Sequence, residues 1–273
     1  THSMNSRRQF LTHCGLAAGA TALAFSNSVM AAEPVARNGK SHMKLSLAAY
    51  SFNKFLPNRG TAEQLKAAKM RLEDFIQFCA DQNLDGTELT SYYFPKEFSP
   101  SYLTAIKEQT FRLGLDISGT AIGNDFCKPE GEEWDKQLKL TREWIDHSAT
   151  MGAPVIRIFA GNVPKGDTEA SAFERCVYGI NKSLEYAAEK GVFLALENHG
   201  GITGAAAQLL KIVKAVSPSP WFGVNLDGGN FHSDDPYAEL EQIAPYAVNA
   251  QVKVAIVRDS TKKKEPADLG RVI

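Results

Sequence analysis

The sequence predicts an α/β chain folded as a (β/α)8 TIM barrel, and three observations carry that prediction. Short β-rich runs alternate with helix-spaced segments from residue 44 to the end of the sequence. Most of the helical segments stop on a Gly, or on an Asn just before one, immediately ahead of the next strand. The first strand leads into Ser51-Phe52-Asn53-Lys54-Phe55 without the G-x-G-x-x-G turn that an open doubly wound sheet would normally show.

The strands are read in order as Lys44 to Phe52 (KLSLAAYSF), Gly86 to Phe94 (GTELTSYYF), Leu115 to Ile122 (LDISGTAI) and Val155 to Gly161 (VIRIFAG). Val192 to Asn198 (VFLALEN), Phe222 to Leu226 (FGVNL) and Ala250 to Val257 (AQVKVAIV) complete the set. Between them, Leu72, Phe75, Ile76 and Cys79, or Leu138, Trp144, Ile145 and Ala149, recur at helical spacing. The helix stops fall at Asn83 to Gly86, Gly114, Gly152 and Gly191. Seven such units in about 220 residues suit a barrel better than an open sheet. Asp268 to Ile273 reads as the start of the seventh helix, so the barrel is expected to stop before its eighth strand.

The N-terminal region reads differently. Ser6-Arg7-Arg8-Gln9-Phe10-Leu11 is a paired-arginine signature, followed by a weakly apolar stretch from Gly15 to Phe25 and a small-residue exit around Ala31-Ala32. This resembles a twin-arginine export signal, with Met4 as the natural start and Thr1 to Ser3 as an added remnant. The apolar stretch is too short and too rich in Gly, Ala and Thr to span about 30 Å of hydrocarbon, so no stable membrane insertion is expected. Cys14 lacks the small preceding residue of a lipoprotein site. Residues 1–32 are therefore assigned to the signal and residues 43–273 to the barrel. The export machinery is the expected partner, and the periplasm or exterior the expected location.

Charge narrows the partners further. Thirty basic residues stand against 31 acidic, a net charge of −1, so no field favours nucleic acid or an anionic membrane. A small neutral molecule is the expected ligand. Cys79, Cys127 and Cys176 are odd in number and irregular in spacing, which speaks against a disulfide framework.

In a parallel barrel the carboxyl ends of the strands converge on one mouth, and neighbours at i and i+2 share a face. Glu197 and His199, in "LALENHG", then both look toward that mouth, and Asp227 in "VNLDGGNF" is a second acid at the equivalent place on the next strand. Gln251 and Lys253 follow on the seventh. A buried acid at a strand end is costly unless it is paired or bound to a cation. Each residue also has a plainer role open to it. Glu197 could pair with Arg157 from the fourth strand, Asp227 could be a helix N-cap before the Gly-Gly turn, and Gln251 could bond a loop backbone. Arg157 could otherwise clamp substrate. Glu88 is expected to face the same way as Thr90 and Tyr92, where it could be an ordinary strand-end acid, or equally Glu88 and Tyr92 could touch a sugar. His232 could do so from its loop, and the aromatic residues Tyr50, Phe52, Tyr92, Tyr93, Phe94 and Phe159 could wall the pocket or simply pack.

At these residues the chain resembles the xylose-isomerase-like sugar isomerases and epimerases. "ALENHG" is similar to that family's strand carrying a metal-binding glutamate, which implies Glu197. "VNLDGGNF" is similar to the strand carrying its metal-binding aspartate, implying Asp227. "AQVKV" stands where many members have His-x-His/Gln-x-Lys, implying Gln251 as ligand with Lys253 following; an Ala replaces the first histidine and no Asp follows the Lys. The fourth ligand of the family has no counterpart before Ile273.

The resemblance implies a divalent ion, and two carboxylates with an amide oxygen favour Mn²⁺, Mg²⁺ or Co²⁺ over Zn²⁺. It also implies a sugar substrate enolised by a glutamate base, Glu197, with His199 or Lys253 polarising an oxygen. The expected reaction is isomerisation or epimerisation of a keto-sugar. Loss of a β-substituent from the same enolate would make the protein a lyase or dehydratase, and loss of the metal would leave a carbohydrate-binding barrel. Phosphorylated sugars are uncommon outside the cytoplasm, and no glycine-rich phosphate loop is present, so a non-phosphorylated sugar is expected. A repair endonuclease of similar fold would need many more histidines than His42, His147, His199 and His232, and a basic face. Exposed barrel helices also leave a homo-oligomer open.

Overall fold

In the computed structural model, residues 33–37, 39 and 42–273 are described. The expected export signal lies outside them. Seven strands form one parallel sheet in sequence order: β1 (Ser46–Ala48), β2 (Gly86–Thr90), β3 (Asp116–Ala121), β4 (Val155–Ile158), β5 (Phe193–Glu197), β6 (Phe222–Asp227) and β7 (Ala247–Gln251). The sheet curls as a TIM barrel without its eighth strand, and β1 and β7 are its two edges. Helices cover its outer face: α1 (Ala62–Ala67), α2 (Leu72–Asp81), α3 (Pro100–Arg112), α4 (Glu132–Met151), α5 (Glu169–Lys190), α6 (Ala206–Ala215), α7 (Pro236–Ile243) and the short α8 (Leu269–Val272). No helix among the described residues is long and apolar enough to cross a membrane.

The two faces of the strands divide cleanly. Leu89, Ile156, Ile158, Leu194, Leu196 and Val224 are buried and belong to the apolar core shared with the helices. The alternate positions Glu88, Arg157, Glu197, Asn225 and Asp227 are also buried, yet polar. Strand alternation puts these on the opposite, inner face, so the barrel interior is polar near its carboxyl end.

The helix stops lie where the sequence suggested. Asn83 (φ 54°), Gly114 (φ 74°), Gly152 (φ 82°) and Gly191 (φ 68°) all adopt the left-handed region that ends a helix. Gly152 and Gly191 close α4 and α5 by donating back to carbonyls of the last turn.

Three expected strands are shorter than their apolar runs. The first gives way to a 3₁₀ turn at Ala49–Phe52 and the second to another at Ser91–Tyr93. Tyr92 therefore leaves the alternation and does not share the face of Glu88 and Thr90. The third correction concerns the last strand, expected over Ala250 to Val257. The paired strand is Ala247–Gln251, and Ala255–Val257 (β8) instead pairs antiparallel with Lys264–Pro266 (β9). Gly223 explains the register: a Cβ there would lie 2.5 Å from Val248 Cγ1, so only glycine lets Val248 seat against β6.

Cys79, Cys127 and Cys176 are buried free thiols. On α4, half-buried His147 meets Phe98 and Trp144 edge-on at centroid distances of 5.0 and 5.3 Å. Burial lowers its pKa from the ordinary histidine value, against a smaller opposing pull from Glu143 and Asp146. A depressed folded-state pKa means this residue's contribution to stability is present above the unfolded value and is lost as pH falls through the folded one. Chemical denaturation between neutral and mildly acidic pH should therefore show a steeper loss for the wild type than for His147→Phe. Parallel pH profiles for the two proteins would refute this.

Candidate active site

The polar interior residues meet at the carboxyl ends of β4 to β7. Glu197, the last residue of β5, is 2% exposed, and Asp227, the last of β6, is 1% exposed. Asp227 is aligned with Gln251 of β7, and Glu197 with Asn225 of β6. The three residues implied as metal ligands thus end neighbouring strands on one rim.

Glu197 is surrounded by nitrogen. Arg157 Nε stands 2.8 Å from its Oε2, although that N–H is not directed at the oxygen. Asn225 Nδ2 donates to the same oxygen at 3.3 Å, and Asn249 Nδ2 donates to Asn225 Oδ1 at 2.8 Å. On the other side, Asn230 Nδ2 donates to Oε1 at 2.9 Å and His199 Nδ1 lies 2.8 Å from it. A carboxylate can only accept, so Nδ1 carries the hydrogen and Nε2 presents the lone pair. The 3.2 Å approach of Asn230 Nδ2 to His199 Nδ1 is then a contact between donors and not a bond. Arg157 and Asn225 close the Oε2 side. Approach to Glu197 is from the Oε1 side, where the His199 side chain is 51% exposed.

Asp227 has two roles. Oδ1 accepts Gly229 N at 2.9 Å, fixing the Gly-Gly turn, while Oδ2 lies 2.7 Å from Lys253 Nζ. The helix N-cap reading is not borne out, because the next helix starts only at Pro236 with Asp235 as its cap; Asp227 holds the Gly-Gly turn instead. Burial pushes the Asp227 carboxyl above its ordinary value, Lys253 opposes this, and Glu197 adds to it. Asn198 holds the strand end by donating to Asp227 O at 3.0 Å and accepting from Asp227 N at 2.8 Å.

Gln251 Nε2 donates to Glu88 Oε2 at 2.8 Å, reaching from β7 to β2. Burial raises the Glu88 carboxyl, countered by this hydrogen bond and then by Arg157. Glu88 is therefore a buried partner of Gln251. Arg157 is likewise a partner of Glu197, as the plainer reading allowed; its Nη1 donates to Ile122 O at 2.5 Å and its Cζ lies 3.8 Å from the Phe159 ring centre. His199 covers the same ring at 4.0 Å, giving an Arg157, Phe159, His199 stack.

Two residues singled out in the sequence lie apart from this cluster. Exposed His232 accepts Asp259 N at its carbonyl, and among the described residues its side chain bonds nothing in the site. Tyr92 turns toward the loop after β3, where a Cβ on Gly123 would lie 2.9 Å from its hydroxyl. Asn225, Asn230 and Asn249 were not singled out. Asn225 had a signal, two residues before Asp227 and so on its face.

The rim offers oxygen donors of the kind a hard divalent cation takes: two buried carboxylates, plus a Gln251 amide whose nitrogen is already bonded, leaving Oε1 as its donor. Lys253, with a side chain 41% exposed, holds the cationic position beside Asp227 and can swing to solvent. Among the described residues no three His, Cys, Asp or Glu side chains converge. The donor set is thus two acids and one amide.

A family model described as xylose isomerase-like TIM barrel matches residues 74–271. No curated protein matches by sequence. Among solved structures, the chain is similar to D-psicose 3-epimerase with D-tagatose from Clostridium cellulolyticum H10, with TM-score 0.61 and 15% identity over 76% of this chain and 72% of that one. The probable 3-DHS dehydratase of petrobactin synthesis from Bacillus anthracis gives 0.59 and 18% over 76% and 72%. A xylose isomerase domain protein from Planctomyces limnophilus gives 0.60 and 17% over 72% and 79%. At these identities the likeness is one of fold.

Proposed function

The chain belongs to the xylose isomerase-like TIM barrel family, and on that premise we propose that it is a metal-dependent isomerase or epimerase of a non-phosphorylated keto-sugar, acting through an enediolate. The observation that carries the reading is the buried Glu197 carboxylate, bonded to a half-exposed histidine at 2.8 Å and flanked by Asp227 and Gln251 on the same rim. Glu197, Asp227 and Gln251 would hold the ion. When bound, it would supply positive charge against the negative charge that develops on substrate oxygens.

The protein's own groups perform the proton chemistry. Glu197 takes the proton from the carbon beside the carbonyl once His199 turns aside from Oε1, and returns it to the same or the neighbouring carbon. His199 Nε2 or Lys253 Nζ holds the proton that passes between the substrate oxygens. Arg157, Asn225 and Asn230 keep the carboxylate in place, which saves the cost of ordering it during the reaction. The same enolisation followed by loss of a β-substituent is the second reading, which the dehydratase among the similar structures favours. We also assign the protein to the export route of its paired-arginine N-terminus, where free sugars outnumber phosphorylated ones.

Incubation with Mn²⁺ and a keto-sugar in D₂O should place deuterium on the carbon beside the carbonyl, read by proton NMR. Chelation should stop the exchange. Turnover without incorporation would point away from an enediolate, and turnover indifferent to chelation would remove the metal from the reading.

A further inference from the structure

We propose that Asp125 is a substrate-binding residue, and that the cleft it shares with Phe159 and His199 takes the hydroxyl-bearing, uncharged part of the sugar remote from the reacting carbon. This rests on the sugar-enzyme reading above and names the substrate class more narrowly. The cleft is lined by Asn124, Asp125, Phe159, Gly161, His199 and Thr203 among others, from the loops after β3, β4 and β5, so it opens directly beside the Glu197 and His199 pair.

The walls are fixed. Asn124 spends both ends of its amide on the next loop, donating to Phe159 O at 2.7 Å and accepting Phe159 N at 3.0 Å. Phe126 N donates to Ala160 O at 2.9 Å, and Ile202 N to Gly161 O at 3.2 Å. His199 N donates to Thr203 Oγ1 at 3.1 Å. Three loops thus form one rigid rim.

Asp125 is set into that rim by its own geometry. Its N–H donates to Gln137 Oε1 and its Oδ1 accepts Cys127 N, both at 3.0 Å. The carboxylate lies over Gly161, where a Cβ would come within 1.8 Å of Oδ1, and Gly161 has φ +119°. Only glycine leaves room for the acid here. Among the described residues Asp125 forms no ion pair, and Oδ2 accepts no hydrogen bond. A half-buried carboxylate with a fixed orientation and a free oxygen is suited to accepting sugar hydroxyls, while the exposed His199 ring offers an apolar face for C–H groups. A phosphate or carboxylate in the same place would meet a like charge, while the nearby Arg175 is already spent on Asp167 and on Cys127 O.

The test titrates D-tagatose and D-tagatose 6-phosphate into the wild type, Asp125→Asn and Asp125→Ala, with binding read by NMR and unfolding followed alongside. Asn keeps the oxygen that accepts Cys127 N, so this variant should fold as the wild type does. The expected result is at least about tenfold weaker binding of the phosphate than of the free sugar by the wild type, and about tenfold weaker D-tagatose binding by Asp125→Ala. Asp125→Asn should lose most of the discrimination against phosphate. Equal binding of both sugars by the wild type, no binding of D-tagatose, or affinities indifferent to Asp125 would each overturn the assignment. Deuterium exchange at the reacting carbon separates the two claims: exchange without dependence on Asp125 sinks the subsite alone, while Asp125-dependent binding without exchange sinks the isomerase reading and leaves the subsite.

Discussion

Glu197→Gln should reduce solvent-deuterium incorporation and turnover by on the order of 10²-fold or more, while the barrel stays folded. Glutamine fills the volume of glutamate, so the surrounding packing is retained. Its amide keeps one acceptor, which the Arg157 and Asn225 side will take. The amide nitrogen then faces His199 Nδ1 and Asn230 Nδ2, both of which present hydrogens in the wild type. Donors opposed to donors repel, and His199 is the freer of the two, with half its side chain exposed. It should rotate or exchange tautomers, placing the hydrogen on Nε2. One substitution thereby removes the base and reverses the histidine beside it. Full activity in a correctly folded Glu197→Gln protein would assign proton transfer to another group.

The barrel was legible because its signals are local. Asn83, Gly114, Gly152 and Gly191 end helices by a backbone conformation that the residue itself favours, and each strand run is short and apolar. Glu197 and Asp227 were legible for a related reason, as acids closing apolar runs where a barrel has its mouth. The end of the seventh strand was not. Residues 247–257 alternate without interruption, and the strand stops at Gln251 where it is aligned with Asp227, the last residue of β6 before the Gly-Gly turn, a boundary set by a residue 24 positions earlier.

Partners set by register between distant strands were hidden in the same way. Gln251 and Glu88 are 163 residues apart, and nothing near either predicts their bond. Asn230 and Asn249 look like ordinary turn and strand asparagines in the sequence, and Asn225 shows only that it shares a face with Asp227. They become the support of Glu197 only when β5, β6 and β7 are aligned. Asp125 depends on the empty Cβ position of Gly161 on another loop.

Arg157→Met should destabilise the fold by about 3 to 5 kcal/mol, the cost of leaving a buried charge without its partner. Arg157 is the one permanently charged group in contact with Glu197 among the described residues, since His199 is charged only when protonated. Both side chains are almost fully buried, so screening by water offsets little of the loss. Methionine retains an apolar stem able to cover Phe159, which confines the change to the charge and its donors, including the Nη1 hydrogen bond to Ile122 O. If the penalty comes mainly from the stranded carboxylate, neutralising Glu197 in the same chain should recover part of it. Urea unfolding of Arg157→Met, Glu197→Gln and the double variant should then give a coupling of about 0.5 to 3 kcal/mol, with the double variant more stable than the sum of the single losses predicts. Strict additivity would mean that Arg157 stabilises the rim through Ile122 and Phe159 alone, and that Glu197 is held by Asn225, Asn230 and His199 without it.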